Sequence, residues 1–258
     1  MKLLLTLSLA LPLMAQLPAP NTTGVAMGHL HLKSKDAAGN RKFWVDTLGG
    51  TPAKVGPIEF YKFPDVLVMI TAGEHKGGSE GSAINHLGFK VKNLDAYIEK
   101  CKADGWEIAK INMETRQLFV MSPDKIKVEL SEDKTMKVPI AHHHIHWSTV
   151  SIADTKAWYV KMFGAVPGTR LSFEAADVPG ANLTFSKYDD APSPTKGRAM
   201  DHIGFEIKDL EAFTKRMESM GVKFDVPFRK VPSLGISIAF FTDPWGTYVE
   251  LTEGLDKF

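Results

Sequence analysis

"INHLGFKVKNLDAYIEKCKADGWE", Ile84–Glu107, and "MDHIGFEIKDLEAFTKRMESMGVK", Met200–Lys223, align without a gap, setting His86 on His202, Asn93 on Asp209 and Gly105 on Gly221, each pair 116 residues apart. A repeat of this length decides architecture before any single residue is read, because each copy must fold as the same supersecondary unit. A second pair extends it. "GHLHLKSKDAAGNRKFWVDTLGG" (28–50) aligns with "HHIHWSTVSIADTKAWYVKMFGA" (143–165), placing His29 on His144, His31 on His146, Phe43 on Trp158 and Gly49 on Gly164, each 115 apart. "DKIKVELSE" (124–132) answers "WGTYVELTE" (245–253), setting Glu129 against Glu250. The chain reads as a tandem duplication of residues 25–135 and 140–256, jointed near "SEDKTMKVPIA".

Each half is itself two units of one plan: an alternating strand, a helix that stops at glycine, then further strands. In "DLEAFTKRMESMG", Asp209 is the expected N-cap, Leu210, Phe213, Met217 and Met220 recur at helical spacing, and Gly221 ends the run. The expected fold class is therefore α+β: paired βαβββ modules forming two cup-shaped mixed sheets with helices on their outer faces. Each half is expected to build one sheet.

Register sorts the histidines. Alternate residues of a strand share a face. Ile145, Trp147 and Thr149 form one set, and His144, His146 and Ser148 the other. Likewise Leu30 and Leu32 oppose His29 and His31, Leu87, Phe89 and Val91 oppose His86 and Gly88, and Ile203, Phe205 and Ile207 oppose His202, Gly204 and Glu206. In the closing strand Val249 and Leu251 oppose Tyr248 and Glu250. The apolar sets must pack on helices, which leaves histidine and glutamate on the open face, with His143 turned away. The expected ligand sets are His29, His86 and Glu129 in one half and His144, His202 and Glu250 in the other. Two imidazoles and a carboxylate with open positions suit a divalent ion: iron, manganese, zinc, nickel or cobalt.

Composition limits the partners. The 258 residues are 44% apolar, and 31 basic against 30 acidic residues leave a net charge of +1. Without charge blocks there is no electrostatic reason to expect nucleic acid or an anionic membrane, so a small-molecule substrate is expected, bound by a monomer or homodimer. Residues 1–15, "MKLLLTLSLALPLMA", have the layout of a signal peptide, followed by a leader at 16–24. Export to the periplasm or medium is expected, with no membrane attachment after cleavage. The lone Cys101 excludes an internal disulfide.

The motifs "GHLHL…FWVDTLGG", "NHLGFKV", "HHIHW…WYVKMFGA", "DHIGFEI" and "TDPWGTYVEL" together resemble the vicinal oxygen chelate superfamily of glyoxalase I, extradiol dioxygenases and fosfomycin and bleomycin resistance proteins, over roughly Gly24 to Glu253. The resemblance implies a first-strand ligand fourteen residues before the helix aromatic pair, which selects His29 and His144 over His31 and His146. His146 and Tyr248 then become candidate proton-transfer groups. In some relatives a module from elsewhere completes a site, and His29 would then stand in for His144. The glyoxalase I pattern wants a further glutamate that "DVLVMIT" and "NLTFSKY" lack, and Lys187 and Phe240 stand where an extradiol enzyme carries its histidine and tyrosine.

The two halves differ. "SPDK" replaces "DPWG", and Lys127, at the place of Tyr248, is expected to pair with Glu129 and disfavour a cation there, so the second half is expected to hold the metal. The leading expectation is an exported metalloenzyme of lyase or dioxygenase type acting on a molecule with chelating oxygens. The alternatives are a metal-free sequestering protein with a pocket lined by Trp147 and Phe240, and a duplication whose sites are vestigial.

Overall fold

The computed structural model describes residues 17–56 and 58–258. The expected signal peptide lies outside the described residues. Among the described residues no helix is long and apolar enough to cross a membrane.

Four modules follow one another. The first contains β1 (Val25–Ser34), α1 (Ala37–Arg41), running on as a π-helical turn at Lys42–Thr47, β2 (Thr51–Val55), β3 (Ile58–Phe63) and β4 (Val66–Ala72). The second contains β5 (Ile84–Val91), α2 (Leu94–Ala103), β6 (Ile108–Asn112), β7 (Gln117–Met121) and β8 (Lys127–Glu132). The third contains β9 (Ile140–Thr149), α3 (Ile152–Phe163), β10 (Val166–Arg170), β11 (Phe173–Val178) and β12 (Ala181–Lys187). The fourth contains β13 (Met200–Ile207), α4 (Leu210–Ser219), β14 (Phe224–Val231), β15 (Ile236–Thr242) and β16 (Tyr248–Glu253). Helix starts follow side-chain chemistry: Asn93 and Asp209 accept from the backbone N–H groups of Ala96 and Ala212. Gly164, at φ +62, takes the left-handed position that closes α3.

The two eight-stranded mixed sheets run β14-β15-β16-β13-β1-β4-β3-β2 and β10-β11-β12-β9-β5-β8-β7-β6. The α+β fold of duplicated modules in two cups is thus present, but its pairing differs from the expected one. Modules one and four share a sheet, and modules two and three share the other. Chain connectivity explains the difference. The short link 133–139 joins modules two and three within one sheet, whereas the longer links 73–83 and 188–199 cross between sheets. Those two crossings brace each other, with Ala83 N–H donating to Ser193 O, Ser193 N–H to Gly81 O, and Ala199 N–H to Gly77 O.

The apolar faces behave as register requires. Leu30, Leu87, Ile145, Trp147, Ile203, Phe205, Val249 and Leu251 are all buried in one core that joins both sheets. Trp147 lies wholly in that core, its indole N–H donating to Thr247 Oγ1, so it cannot line a pocket as the sequestering alternative supposed. Cys101 is buried in α2, where burial pushes its thiol up to about 11. The leader docks on the body: Asn21 Nδ2 donates to Phe163 O, and Asn21 Oδ1 accepts from the N–H of Val25.

Candidate metal centre

Crosswise pairing redistributes the candidate ligands. The first centre gathers His29 from module one with His202 and Glu250 from module four, and the second gathers His144 from module three with His86 and Glu129 from module two. The sets expected from each half do not form.

How His29 reaches Glu250 follows from the strand register. β1 and β16 flank β13, so the two side chains start about 10 Å apart, two strand spacings. His29 pairs with Gly204 on β13, and Gly204 pairs with Glu250 on β16, placing the three in one row across the sheet. With no side chain at Gly204, the His29 ring lies across it, and a Cβ there would stand 2.0 Å from the ring. The second centre repeats the row as His144, Gly88 and Glu129, and a Cβ on Gly88 would stand 1.9 Å from the His144 ring. Sequence register placed both glycines on the site face. Their function as ring seats becomes visible only once the neighbouring strand is known.

In the first centre, His29 Nε2 and His202 Nε2 each lie 2.9 Å from the same oxygen, Glu250 Oε2. Adjacent donors on an ion with bonds of ~2.1 Å at right angles would be about 3 Å apart, so the spacing admits a first-row divalent cation as well as the direct hydrogen bonds, and the choice between them rests on the neighbours of the rings. His31 completes the group, its ring 4.4 Å from that of His202, and its Nε2 lies 2.6 Å from Thr71 Oγ1. The Nδ1 atoms of His29 and His31 are buried without a partner.

His202 supplies the test of fit. Its Nδ1 is 2.7 Å from Asp201 Oδ1 while its Nε2 faces Glu250, so one ring stands between two carboxylates. A neutral imidazole donates from only one nitrogen, and the other lone pair would face an anion. Such a ring must become a cation or bind one. Burial opposes the charged form, yet the hydrogen bonds to Asp201 and Glu250 outweigh it and raise His202 above its ordinary range. Burial likewise pushes the Glu250 carboxyl up, but the charges and hydrogen bonds of His29 and His202 hold it well below the usual carboxylate range. The donor set therefore fits a divalent metal ion, with Asp201 orienting one ligand from behind.

The second centre carries the same residue types with different neighbours. Glu129 Oε2 lies 3.0 Å from His86 Nε2 and 3.2 Å from His144 Nε2. Its other oxygen accepts from Arg170 and Gln117, each at 2.8 Å. Lys127, expected to hold Glu129, instead pairs with Glu80 at 2.7 Å. Arg170 escaped sequence reasoning because it comes from β10, in another module. His146 also belongs here, its ring 4.5 Å from that of His86, so it cannot serve a centre built on His202. A β-bulge opposite Gly88 and Phe89 alters the neighbouring histidines: His142 turns to Phe89 and Gly180 O, and His143 Nδ1 comes within 3.0 Å of His144 Nδ1. His143 was expected to point away, and instead it steadies His144.

Tyr248 packs beside the first centre. Its ring stacks on Phe240, meets His202 edge-on at 5.6 Å, and carries the Lys196 ammonium 4.2 Å above it. Burial raises its phenol above the ordinary value, so it stays protonated at neutral pH. Next to the first centre opens a cavity of about 240 Å³, walled by Val55, Ile58, Phe60, Met69, Ile238 and Phe258, with Arg229 among its lining.

A sequence profile described as the glyoxalase/bleomycin resistance protein/dioxygenase superfamily matches residues 26–130 and 141–251. The chain belongs to this superfamily. Glyoxalase I from Zea mays is a structural neighbour at 16% identity and TM-score 0.74, covering 90% of this chain and 94% of its own. A putative dioxygenase from Bacillus subtilis is another, at 13% identity and TM-score 0.68, covering 93% and 86%. At such identities the likeness concerns the fold. A comparison with curated proteins returns no match.

On the same face Glu206 carries a pH-sensitive contact. Burial pushes its carboxyl up to about 7, although it accepts hydrogen bonds from the N–H groups of Gly254 and Leu255 and from Thr252 Oγ1. A folded-state pKa above the unfolded value of 4.5 means the fold favours the protonated acid. The contribution is complete below the unfolded value and is lost as pH rises through about 7, on the order of 3 kcal/mol. Glu206→Gln should keep these contacts without the charge. Denaturant unfolding at pH 5 and pH 8 should show a larger loss for the wild-type protein than for the variant, and equal losses would remove Glu206 as the cause.

Proposed function

We propose that the protein is a metal-dependent enzyme of this superfamily whose working centre is His29, His202 and Glu250, with His31 beside them. The observation that carries the reading is the His202 imidazole held between the Asp201 and Glu250 carboxylates, an arrangement a cation on Nε2 relieves. A divalent ion there would supply Lewis-acid polarisation of a substrate bearing chelating oxygens, and iron would extend this to dioxygen chemistry.

The chain's own residues supply the rest. Burial and the neighbouring His202 and His29 lower the His31 pKa to about 3, so it is neutral at physiological pH. With Nε2–H donating to Thr71, its buried Nδ1 lone pair has no protein partner and is placed to accept a hydrogen bond from a bound substrate hydroxyl, so His31 takes the position first expected of His146. Tyr248 offers a protonated phenol on the adjoining wall. The apolar cavity excludes water and admits a compact, mostly apolar substrate, and Arg229 offers a positive partner to an acidic group on it. Lyase and dioxygenase reactions both remain within this site's chemistry, and the ion decides between them. Export is part of the proposal, supported by residues 1–15, and a mature extracytoplasmic chain beginning at Gln16 is the expected result.

Metal analysis after mild purification tests the central reading: one tightly held divalent ion per chain is expected. Protein that neither retains an ion nor takes one up on dialysis would leave the sequestering alternative, for which the apolar cavity is the favouring observation.

A further inference from the structure

We infer that the second centre is a metal-free lock in which the Arg170 guanidinium takes the place of an ion. This goes beyond the proposed function and concerns residues that function does not use. Three substitutions between equivalent positions of the two centres carry it. Where the first centre has Val55 on β2, the second has Arg170 on β10; where it has Ile238, the second has Gln117; and where it has Asp201, the second has Asn85.

Each change removes part of the demand for a cation. Arg170 and Gln117 both donate to Glu129 Oε1, while His86 and His144 face Oε2, so four groups surround this carboxylate. The Arg170 side chain is only 10% exposed, and a guanidinium does not lose its proton, so its charge is a fixed complement to Glu129. A divalent ion at the histidines would meet that charge across the same carboxylate.

Asn85 completes the difference. Its Oδ1 lies 2.8 Å from His86 Nδ1, and its Nδ2 donates to the Tyr188 hydroxyl at 3.0 Å. An amide can turn. Turned over, Asn85 donates Nδ2–H to His86 Nδ1 and accepts from Tyr188 at Oδ1, and His86 is then free to donate Nε2–H to Glu129 as a neutral ring. His144 does the same while its Nδ1 accepts from His143. The carboxylate of Asp201 cannot turn into a donor, so the first centre has no such neutral solution. The lock joins β10 of module three to β8 of module two, where it holds the two halves of the sheet together.

Metal stoichiometry of the full chain, with Co(II) as the probe, tests this. The wild-type protein is expected to take one ion, Glu129→Gln should still take one, and Glu250→Gln none. Arg170→Val combined with Gln117→Ile and Asn85→Asp should take two, and the same variant carrying Glu250→Gln should take one. Without Co(II) the triple variant should melt roughly 10 °C lower, since a buried ion pair has been broken, and Co(II) should restore most of the loss. Two ions on the wild-type protein, with one lost on Glu129→Gln, would overturn the inference, and so would a folded triple variant that gains none. If the triple variant does not fold, the Glu129→Gln count alone decides. A wild-type protein with no ion, but a triple variant that gains one at Glu129, would sink the proposed function and leave the lock standing.

Discussion

Gly204→Ala is expected to abolish tight metal binding although it changes none of the ligand residues. The His29 ring must cross β13 to reach Glu250, and it does so over Gly204, whose added Cβ would stand 2.0 Å from Cε1 and 2.2 Å from Nδ1 of that ring. Interpenetration at that distance forces the imidazole out of the row. The backbone has little freedom to yield, because every residue of β13 is buried and the strand is paired on both sides. Losing an orienting contact typically costs 10–100-fold in metal affinity, and displacing a ligand altogether should exceed this, so a fall of at least ~100-fold is expected. Gly88→Ala is the matched control: it displaces His144 in the same way, yet should leave the first centre loaded. Isothermal titration with Co(II) of the two variants checks this. A Gly204→Ala protein that is folded and binds as tightly as wild type would refute the row geometry.

The second large effect distinguishes the crosswise assembly from the half-by-half one. His29→Ala should lose the ion, because it removes one of three ligands and leaves Glu250 with His202 alone. His144→Ala should leave the metal content unchanged, because its ring belongs to the other sheet, 3.2 Å from Glu129. Its effect should appear as lowered stability instead, since the Glu129 carboxylate would keep its guanidinium but lose a buried hydrogen bond, about 1–3 kcal/mol. Metal per chain and melting temperature, measured on both variants, separate the two roles. Loss of metal from the His144 variant with retention in the His29 variant would return the ligands to the sets expected from each half.

Much of the molecule is legible in the sequence because the information is local. The duplication, the module plan and the inward face of each strand follow from repeats and from the two-residue period of extended chain, both written within a few consecutive residues. The same period correctly set His29, His86, His144, His202, Glu129 and Glu250 on the site faces and sent Trp147 to the core. It failed at His143, where a bulge shifts the alternation, and a bulge depends on the partner strand.

Which modules pair could not be read from residues so alike. The leading strands all carry inward histidines on similar apolar ladders, so each could pair with any other, and repetition, the clearest signal in the chain, is silent on the choice. Tertiary structure decides it through chain length between modules: a short link keeps modules two and three in one sheet, and modules one and four close the other. From that single choice follow the partners of His29, the seat that Gly204 makes for it, and the arrival of Arg170 at Glu129. These contacts join residues as far apart as His29 and Glu250, and only the folded sheet brings them within 2.9 Å.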